Sequence, residues 1–550
     1  MPKVRLALAQ TNPVVGAFEA NLEHCLAAVS KAAEAGANVV VFGEMAMSGY
    51  PVEDLASRAD FLQQAQNHLT RFAQTLEASG FGEIAVVIGH PARAKDTQEH
   101  QWAIAQNRAS LCLNGKVEAT YAKHHLPNYS VFDEYRIFVP GNQLTTFEHL
   151  GLRFSLLICE DIWQSGGPVS QLKQNKTDVA LVLNGSPFEV DKQERRDQLV
   201  SNLATLHNTA VAYVNLVGGQ DDLVFDGASL VANAKGDIVA RGKAFEQDLV
   251  LVDIDASGQV QAVQTASLNQ QDELTEIWQA LVLGLGDYVT KNGFNSVILG
   301  LSGGIDSAVC AALAVDAIGA NRVFGVSLPS KYSSDHSVSD AQDLANRLGI
   351  SLRSEPIANI VDVAETQLGL SDLAAENLQA RVRGLILMGL SNQEGHLTLT
   401  TGNKTEIAVG YSTIYGDSVG GYAPIKDVAK TLVWQLAKHR NQMAVAAGQT
   451  PPIPENSISK PPSAELRPGQ TDQDSLPAYE VLDEILELLL EQRASKEQIV
   501  AAGFDSATVE RVAQLFARAE WKRRQGAIGP KITGLAFGRD HRMPITNKYH

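Results

Sequence analysis

The chain has 550 residues, 45% of them hydrophobic and 19% charged, and its net charge is −17. That length exceeds one ordinary domain and predicts two or three, each with ample core. The acidic balance disfavours broad nucleic-acid binding, and no apolar run approaches the ~18 residues that suggest a membrane span.

The opening run from Met1 reads as a first strand, because its apolar stretch is too short for a secretory signal. The four cysteines, Cys25, Cys112, Cys159 and Cys310, lie far apart without a CxxC pair. This suits a reducing cytoplasm and argues against a disulfide framework or a zinc site.

From residue 4 to about 255, short apolar runs predict strands at 4–9, 38–42, 84–89, 154–158, 179–183, 210–217 and 249–254. Helical periodicity predicts helices at 20–35, 60–78 and 193–208. Alternation of this kind implies layered α and β, with chemistry at strand ends. Three such ends carry reactive groups: Glu44 after VVVFG, Lys123 within YAKHHLP, and Cys159 after LLI. Together they form a carboxylate to move a proton, an ammonium to stabilise an oxyanion, and a thiol nucleophile. Lys123 would help lower the thiol pKa against the opposing charge of Glu44. Cys25, Cys112 and Cys310 fall in helical or strand patterns and are assigned to the core.

The stretch 256–271 is polar and aperiodic and reads as a linker. A periodic helix at 272–290 leads into an apolar strand and then Gly300-Leu301-Ser302-Gly303-Gly304-Ile305-Asp306-Ser307, followed by an Ala-rich helix. Strand, glycine turn and helix offer backbone N–H groups and a helix N-terminus to a phosphate. The carboxylate of Asp306 beside that phosphate makes sense with Mg²⁺ between them. No Lys follows the glycines, so the run is not a Walker loop. Strands at 322–328 and 397–400 and a helix at 337–348 extend a doubly wound parallel sheet with the nucleotide at the strand C-ends. Glu406, in TGNKTE, is the natural second carboxylate for the metal. The proline-dense segment 451–470 forbids regular helix or central strand, which leaves a passive linker or, as resemblance to a known family implies, a lid over the site. The basic groups at 521–524 and 539–542 either meet substrate phosphates across a subunit interface or cap a helix.

Two resemblances give these parts a chemistry. GEMAMSGYP, KHHLPNYSVFDEYRIFVPG and ICEDIW resemble, in order, the three motif regions of the carbon–nitrogen hydrolase (nitrilase) family, over roughly the first half of the chain. That resemblance implies an α-β-β-α sandwich, a catalytic Glu44, Lys123 and Cys159, and Glu134 as supporting glutamate. The glutamine-hydrolysing members attached to synthetase domains are nearest, which implies Tyr129, Ser186 and Lys192 as glutamine contacts. SGGIDS resembles the loop of the ATP pyrophosphatases, whose fold is adenine nucleotide alpha hydrolase-like. With ENLQARVR, TGNKTE, YGD and KPPSAELRPGQTDQDSLP, it resembles the NAD synthetases over the second half.

The second resemblance implies residues 300–307 and Thr401 as ATP contacts, and Asp306 and Glu406 as metal ligands. It also implies Asn377, Arg381, Glu406 and Lys531 as contacts to deamido-NAD. The expected units are 1–255 and 272–550, with 256–271 between them. The expected activity is a C–N bond-forming ligase reaction. Glutamine yields ammonia, ATP adenylates deamido-NAD with Mg²⁺ as cofactor, and ammonia displaces AMP to give NAD. The expected partners are these small molecules, with no nucleic acid or membrane, in a cytoplasmic homo-oligomer. An internal ammonia passage is expected, since ammonia freed to neutral water would be protonated. The competing enzyme readings explain less. Asparagine synthetases use an N-terminal cysteine, whereas position 2 here is Pro, and GMP synthetases carry a Cys-His-Glu glutaminase of different pattern. A nucleotide sensor with a dead amidase half would not need Glu44, Lys123 and Cys159 intact.

Overall fold

In a computed structural model, which describes residues 3–94, 103–255, 258–268, 271–467 and 469–548, the chain divides into two compact units. One comprises Met1–Gln220 and Val224–Gln270, the other Asp221–Leu223 and Gln271–His550.

The first unit runs β1 (Lys3–Gln10), α1 (Phe18–Glu34), β2 (Val39–Phe42), α2 (Ala59–Ala78), β3 (Ala85–Arg93), β4 (Ala105–Leu113), β5 (Lys116–Ala122), β6 (Thr145–His149), β7 (Leu152–Ile158) and β8 (Val179–Asn184). It continues with α3 (Lys192–His207), β9 (Ala210–Asn215), β10 (Leu230–Ala232), β11 (Ile238–Arg241), β12 (Asp248–Asp255) and β13 (Val260–Gln264). Seven strands form one sheet in the order β13-β12-β1-β2-β3-β4-β5, and six form another in the order β11-β10-β9-β8-β7-β6. Alternate residues of β1, β2 and β12 pack against alternate residues of β7, β8 and β9 in one core, with Leu6, Leu8 and Val41 meeting Phe154, Leu156 and Leu181. The period-two alternation makes this possible, because each strand gives one face to the partner sheet. The opposite faces are covered by helices, so α3 buries Val200, Leu203 and Ala204 against Leu157, Val182 and Tyr213. The result is the α-β-β-α sandwich.

One expectation needs correction here. Val260–Gln264, inside the stretch read as a linker, is an edge strand pairing antiparallel with β12. Its burial pattern shows why it reads as unstructured, since only Val260 is buried, Ala262 is half-buried against the core and the other three residues are exposed. Residues 256–257 and 269–270 of that stretch lie outside the described residues.

The second unit opens with α4 (Glu273–Lys291), β14 (Val297–Gly300), α5 (Ile305–Ile318), β15 (Val323–Ser327), α6 (Asp335–Leu348), β16 (Ser351–Ser354), α7 (Ala358–Leu368), α8 (Asp372–Glu394), β17 (Leu397–Thr398), α9 (Lys404–Val409) and α10 (Lys430–Ala446). Four strands lie in the order β16-β15-β14-β17, and every pairing is parallel. One face is covered by α7 and α8, through Val361, Val382 and Leu387 on Ile298 and Val326. The other face carries α5, whose buried residues include Ala308, Ala311, Ala312 and Ala314 and so pack closely. Strand order reverses between β14 and β17, which opens a crevice at the C-terminal end of β14. A helical cluster built on α11 (Tyr479–Leu490) and α12 (Ser506–Arg518) packs around Ala408 and Val409. The proline-dense segment does contain a helix, one turn over Glu455–Ser459. It fits between Pro454 at its N-cap and Pro461 beyond its end, where neither ring removes a needed hydrogen bond.

Candidate active sites

In the first unit Glu44, Lys123 and Cys159 stand at the C-terminal ends of β2, β5 and β7, all buried. The Lys123 ammonium lies 2.8 Å from Glu44 Oε1 and 2.8 Å from Glu134 Oε2. Glu44 is held from two more sides: Asn107 Nδ2 donates to Oε1 at 2.6 Å, and the Gly185 N–H donates to Oε2 at 2.8 Å. Tyr50 donates its hydroxyl to Glu134 at 2.8 Å. Burial pushes the Glu134 carboxyl up to about 7, with Lys123 opposing and Glu44 adding to the rise. Burial also lowers Lys123, but Glu134 and Glu44 more than reverse this and hold the ammonium well above its ordinary value. It is a fixed positive charge.

Cys159 starts a single 3₁₀ turn, Cys159–Ile162, and its φ of 42° lies in the left-handed region that a non-glycine residue rarely occupies. Burial pushes its thiol well above the ordinary range, and Glu44 adds to this. Lys123 pulls the other way, as its charge requires, without reversing the net direction. The group at rest is therefore a thiol, and attack needs a base. Asp161, two residues on, joins this turn to the lysine loop. It accepts from Ile158 N and Tyr121 Oη through one oxygen and from His124 N and His125 N through the other, at 2.7–3.0 Å. Glu134, Asn107, Asp161 and Tyr50 thus fix what Glu44, Lys123 and Cys159 present. Asn107 and Asp161 carried no separate signal in the sequence.

Tyr129 is half exposed and donates to Glu160 Oε2 at 2.9 Å. Ser186 is buried in the loop after β8, and Lys192 is the first residue of α3 with its Nζ 3.5 Å from Glu189. Cys25 and Cys112 are buried thiols pushed up to about 12, and Cys310 is buried in α5. All three are core, as the sequence pattern implies.

In the second unit a cavity at the crevice is bounded by Ser302, Gly304, Asp306, Thr401, Glu406 and Lys430 among others. Gly303 has φ +77°, and a Cβ there would lie 2.6 Å from the Ser337 carbonyl oxygen, so only glycine fits. Gly304 is the N-cap of α5 and offers no capping side chain, leaving the first turn's N–H groups to an outside acceptor. Ser302 and Ser307 brace the turn, with Gly304 N donating to Ser302 Oγ at 3.2 Å and Ser307 Oγ donating to Gly304 O at 3.0 Å.

Asp306 and Glu406 come together around Lys430. Its Nζ donates to Asp306 Oδ2 at 2.5 Å and to Glu406 Oε1 at 3.3 Å. Asn403 donates to the other Asp306 oxygen at 2.9 Å, and it also caps α9, accepting from Glu406 N at 3.0 Å. Burial pushes the Glu406 carboxyl up to about 8, with Lys430 opposing and Asp306 adding to the rise. Lys430 lies under the rings of Trp434 and Tyr479, at 5.7 and 5.3 Å. As a lone lysine at a helix start it gave no signal in the sequence. The carboxylate pair fits Mg²⁺, which takes one or two carboxylates and draws its other oxygens from phosphates and water. Among the described residues no group of three or more His, Cys, Asp or Glu is placed to hold a metal ion.

The segment 460–466 forms one wall of this cavity. Glu465 accepts from Ser337 Oγ at 2.7 Å and Ser334 Oγ at 3.0 Å, and Gln379 donates to Leu466 O at 3.0 Å. Asn377 accepts from Thr413 Oγ1 at 2.7 Å, and Arg381 donates to Ile414 O at 3.3 Å; both stand on α8 beside, rather than in, the cavity wall. Lys531 is buried against Asp540 at 2.8 Å and is not among the lining residues. At the basic end, Lys522 donates to Gly410 O at 2.8 Å and Ser412 O at 2.6 Å, which closes α9. For Lys522 this is the capping role.

Fold and side chains define a class: an amidohydrolase unit of the carbon–nitrogen hydrolase type and a nucleotide unit of the NAD synthase type in one chain. The carbon–nitrogen hydrolase family model matches residues 5–263 and the NAD synthase model residues 277–526. The chain is 44% identical over 553 residues to the glutamine-dependent NAD(+) synthetase of Acinetobacter baylyi, covering 100% of this chain and 99% of that protein. It is 41% identical to that of Thermotoga maritima, covering 100% and 99%. The structure of the Acinetobacter baumannii glutamine-dependent NAD+ synthetase, determined with ADP, matches with TM-score 0.77 and 42% identity over 99% of each chain. The chain belongs to the glutamine-dependent NAD(+) synthetases.

Proposed function

We propose that the chain amidates deamido-NAD to NAD, with nitrogen from glutamine and energy from the cleavage of ATP to AMP and pyrophosphate. The observation that carries this is the presence, in one chain, of a buried thiol facing a fixed ammonium and a hydrogen-bonded carboxylate, together with an uncapped glycine turn facing two carboxylates.

In the first unit Glu44 takes the Cys159 thiol proton as sulfur attacks the glutamine amide carbon. Lys123 stabilises the developing oxyanion, and the proton passes to the leaving nitrogen as ammonia departs. Water then attacks the thioester carbonyl, giving up a proton to Glu44, and glutamate leaves as the thiol re-forms. Glu134, shared with Tyr50, keeps Lys123 aimed at this point. In the second unit the N–H groups of 302–307 hold the ATP phosphates while the nicotinate carboxylate attacks the α-phosphorus and pyrophosphate leaves. Ammonia then attacks the acyl carbon and AMP leaves. Mg²⁺, held by Asp306 and Glu406, would neutralise phosphate charge. The wall at 460–466 keeps water from the acyl adenylate.

Glu44→Gln is expected to lower glutamine hydrolysis by about 10²–10⁴-fold, read as glutamate release, because the buried thiol then has no proton acceptor. Gly303→Ala is expected to lower ammonia-driven synthesis by ~10-fold or more, because the turn must open to relieve the Ser337 contact; glutamine hydrolysis is the internal control.

The test of the whole reading is the purified chain with ATP, Mg²⁺ and deamido-NAD, given glutamine or ammonia. NAD and AMP are the expected products from both, and ADP in place of AMP sinks the reading. Among the described residues no helix is long and apolar enough to cross a membrane. We place the enzyme in the cytoplasm, where its buried free cysteines stay reduced, and as a homo-oligomer.

A further inference from the structure

Arg196 takes no part in the chemistry above, yet it is the largest fully buried side chain among the described residues. A buried arginine is costly unless its donors are matched. Here NH1 donates to Asp226 Oδ2 at 2.5 Å, which would suffice to neutralise the charge. The other terminal nitrogen goes elsewhere: NH2 donates to Ser186 O at 2.8 Å, Pro187 O at 3.0 Å and Ser186 Oγ at 3.2 Å. From the opposite side Asn215 Oδ1 accepts from Ser186 N at 2.9 Å, while Asn215 Nδ2 donates to Ser186 O at 3.1 Å and Asp226 Oδ1 at 3.3 Å. Ser186 is therefore gripped through its N–H, its carbonyl and its hydroxyl.

Lys192 and Arg196 are four residues apart on α3 and so share one helix face. The guanidinium thus binds the turn that carries Lys192 to the loop that carries Ser186. We propose that Arg196 is the positioning residue that holds Ser186 and Lys192 at a fixed separation, as one receptor for the α-amino-acid head of glutamine. The inference rests on the reading of Ser186 and Lys192 as glutamine contacts. A lysine could not replace it, since a point charge cannot reach Asp226 and two carbonyls in one plane. Among the described residues Arg196 shares no hydrogen bond with Glu44, Lys123 or Cys159. Its loss should therefore fall on recognition of the head group, not on the bond-breaking step.

The test uses the full chain and three variants, Arg196→Lys, Asp226→Asn and Lys192→Met. For each, KM and kcat for glutamine hydrolysis are measured, with ammonia-driven NAD formation as a check on folding. The rate of inactivation by iodoacetamide, a small amide without an amino-acid head, reports the reactivity of Cys159. Arg196→Lys is expected to raise KM for glutamine by about tenfold or more, with kcat within about threefold and iodoacetamide inactivation unchanged. Asp226→Asn should shift KM in the same direction by less, because the guanidinium keeps its carbonyl contacts. An unchanged KM overturns the inference. So does a fall of kcat and iodoacetamide reactivity in step, or failure of both Arg196→Lys and Asp226→Asn to fold, since each would make Arg196 a packing residue. Lys192→Met separates the two layers. If it leaves KM unchanged, the glutamine head lies elsewhere and the underlying reading fails; if it raises KM while Arg196→Lys does not, only the positioning role fails.

Discussion

Cys159→Ala is expected to abolish NAD formation from glutamine and to leave formation from ammonia within about twofold of the parent rate. The first half follows from the chemistry, since without the sulfur no acyl-enzyme forms and the covalent route is closed. The residual glutaminase should lie at least ~10³-fold down, near what Lys123 and substrate binding alone supply. The second half follows from the structure. Cys159 belongs to the first unit and packs in the core between its two sheets. Removing one sulfur there leaves a small void at the edge of the site, costing about 1 kcal/mol or less. The measurement is the initial rate of NAD formation at saturating glutamine and, separately, at saturating ammonium. Equal loss from both sources would show that the thiol serves structure and not nitrogen supply.

Asp306→Ala should do the converse, eliminating synthesis from both nitrogen sources while glutamine is still hydrolysed. Two effects add. On the proposed reading Mg²⁺ would lose one of two carboxylates where phosphate charge must be neutralised, an effect on the order of 10³-fold. The variant also leaves Lys430 facing Glu406 alone and strips Asn403 of its acceptor. Asp306→Asn separates these, since it keeps the shape and removes the charge. Both variants are read by AMP formation with ammonia as nitrogen source. Activity within tenfold of the parent in Asp306→Asn would remove Asp306 from the metal site.

These two variants also mark how much was legible beforehand. Cys159 and Glu44 sit just after apolar strands, and Asp306 in the first turn of the helix that follows one, where the local pattern alone sets a side chain near a sheet end. Their strands are continuous apolar runs because both faces are buried. The layered α and β of the first unit and the parallel sheet of the second were legible for the same reason, whereas the α-β-β-α sandwich was implied only by the family resemblance. Val260–Gln264 was not, since an edge strand with one buried residue has no face to reveal. Residues that act across the fold were equally silent. Asn107 reaches Glu44 from 63 positions away, and Lys430 reaches Asp306 from 124. Nothing near either in the chain says what it will touch. Asp161 was visible as part of a motif but not as the acceptor of four donors, a role fixed only when the loop at 121–125 closes on it. The thiol's direction of shift was also beyond the sequence. It depends on how completely burial outweighs Lys123, and burial is a property of the packed core.

The bare first turn of α5 has an energetic consequence of its own. A helix whose N-cap is glycine forgoes a few tenths of a kcal/mol, roughly, that a serine or aspartate side chain would provide. On the proposed reading of this turn as the phosphate site, phosphate oxygens on those N–H groups would complete the helix. Saturation at a hundred times the dissociation constant adds about 2.7 kcal/mol to folding stability. On that reading occupancy and fold are linked through one turn, and a fall in ATP would loosen the segment that must recapture it.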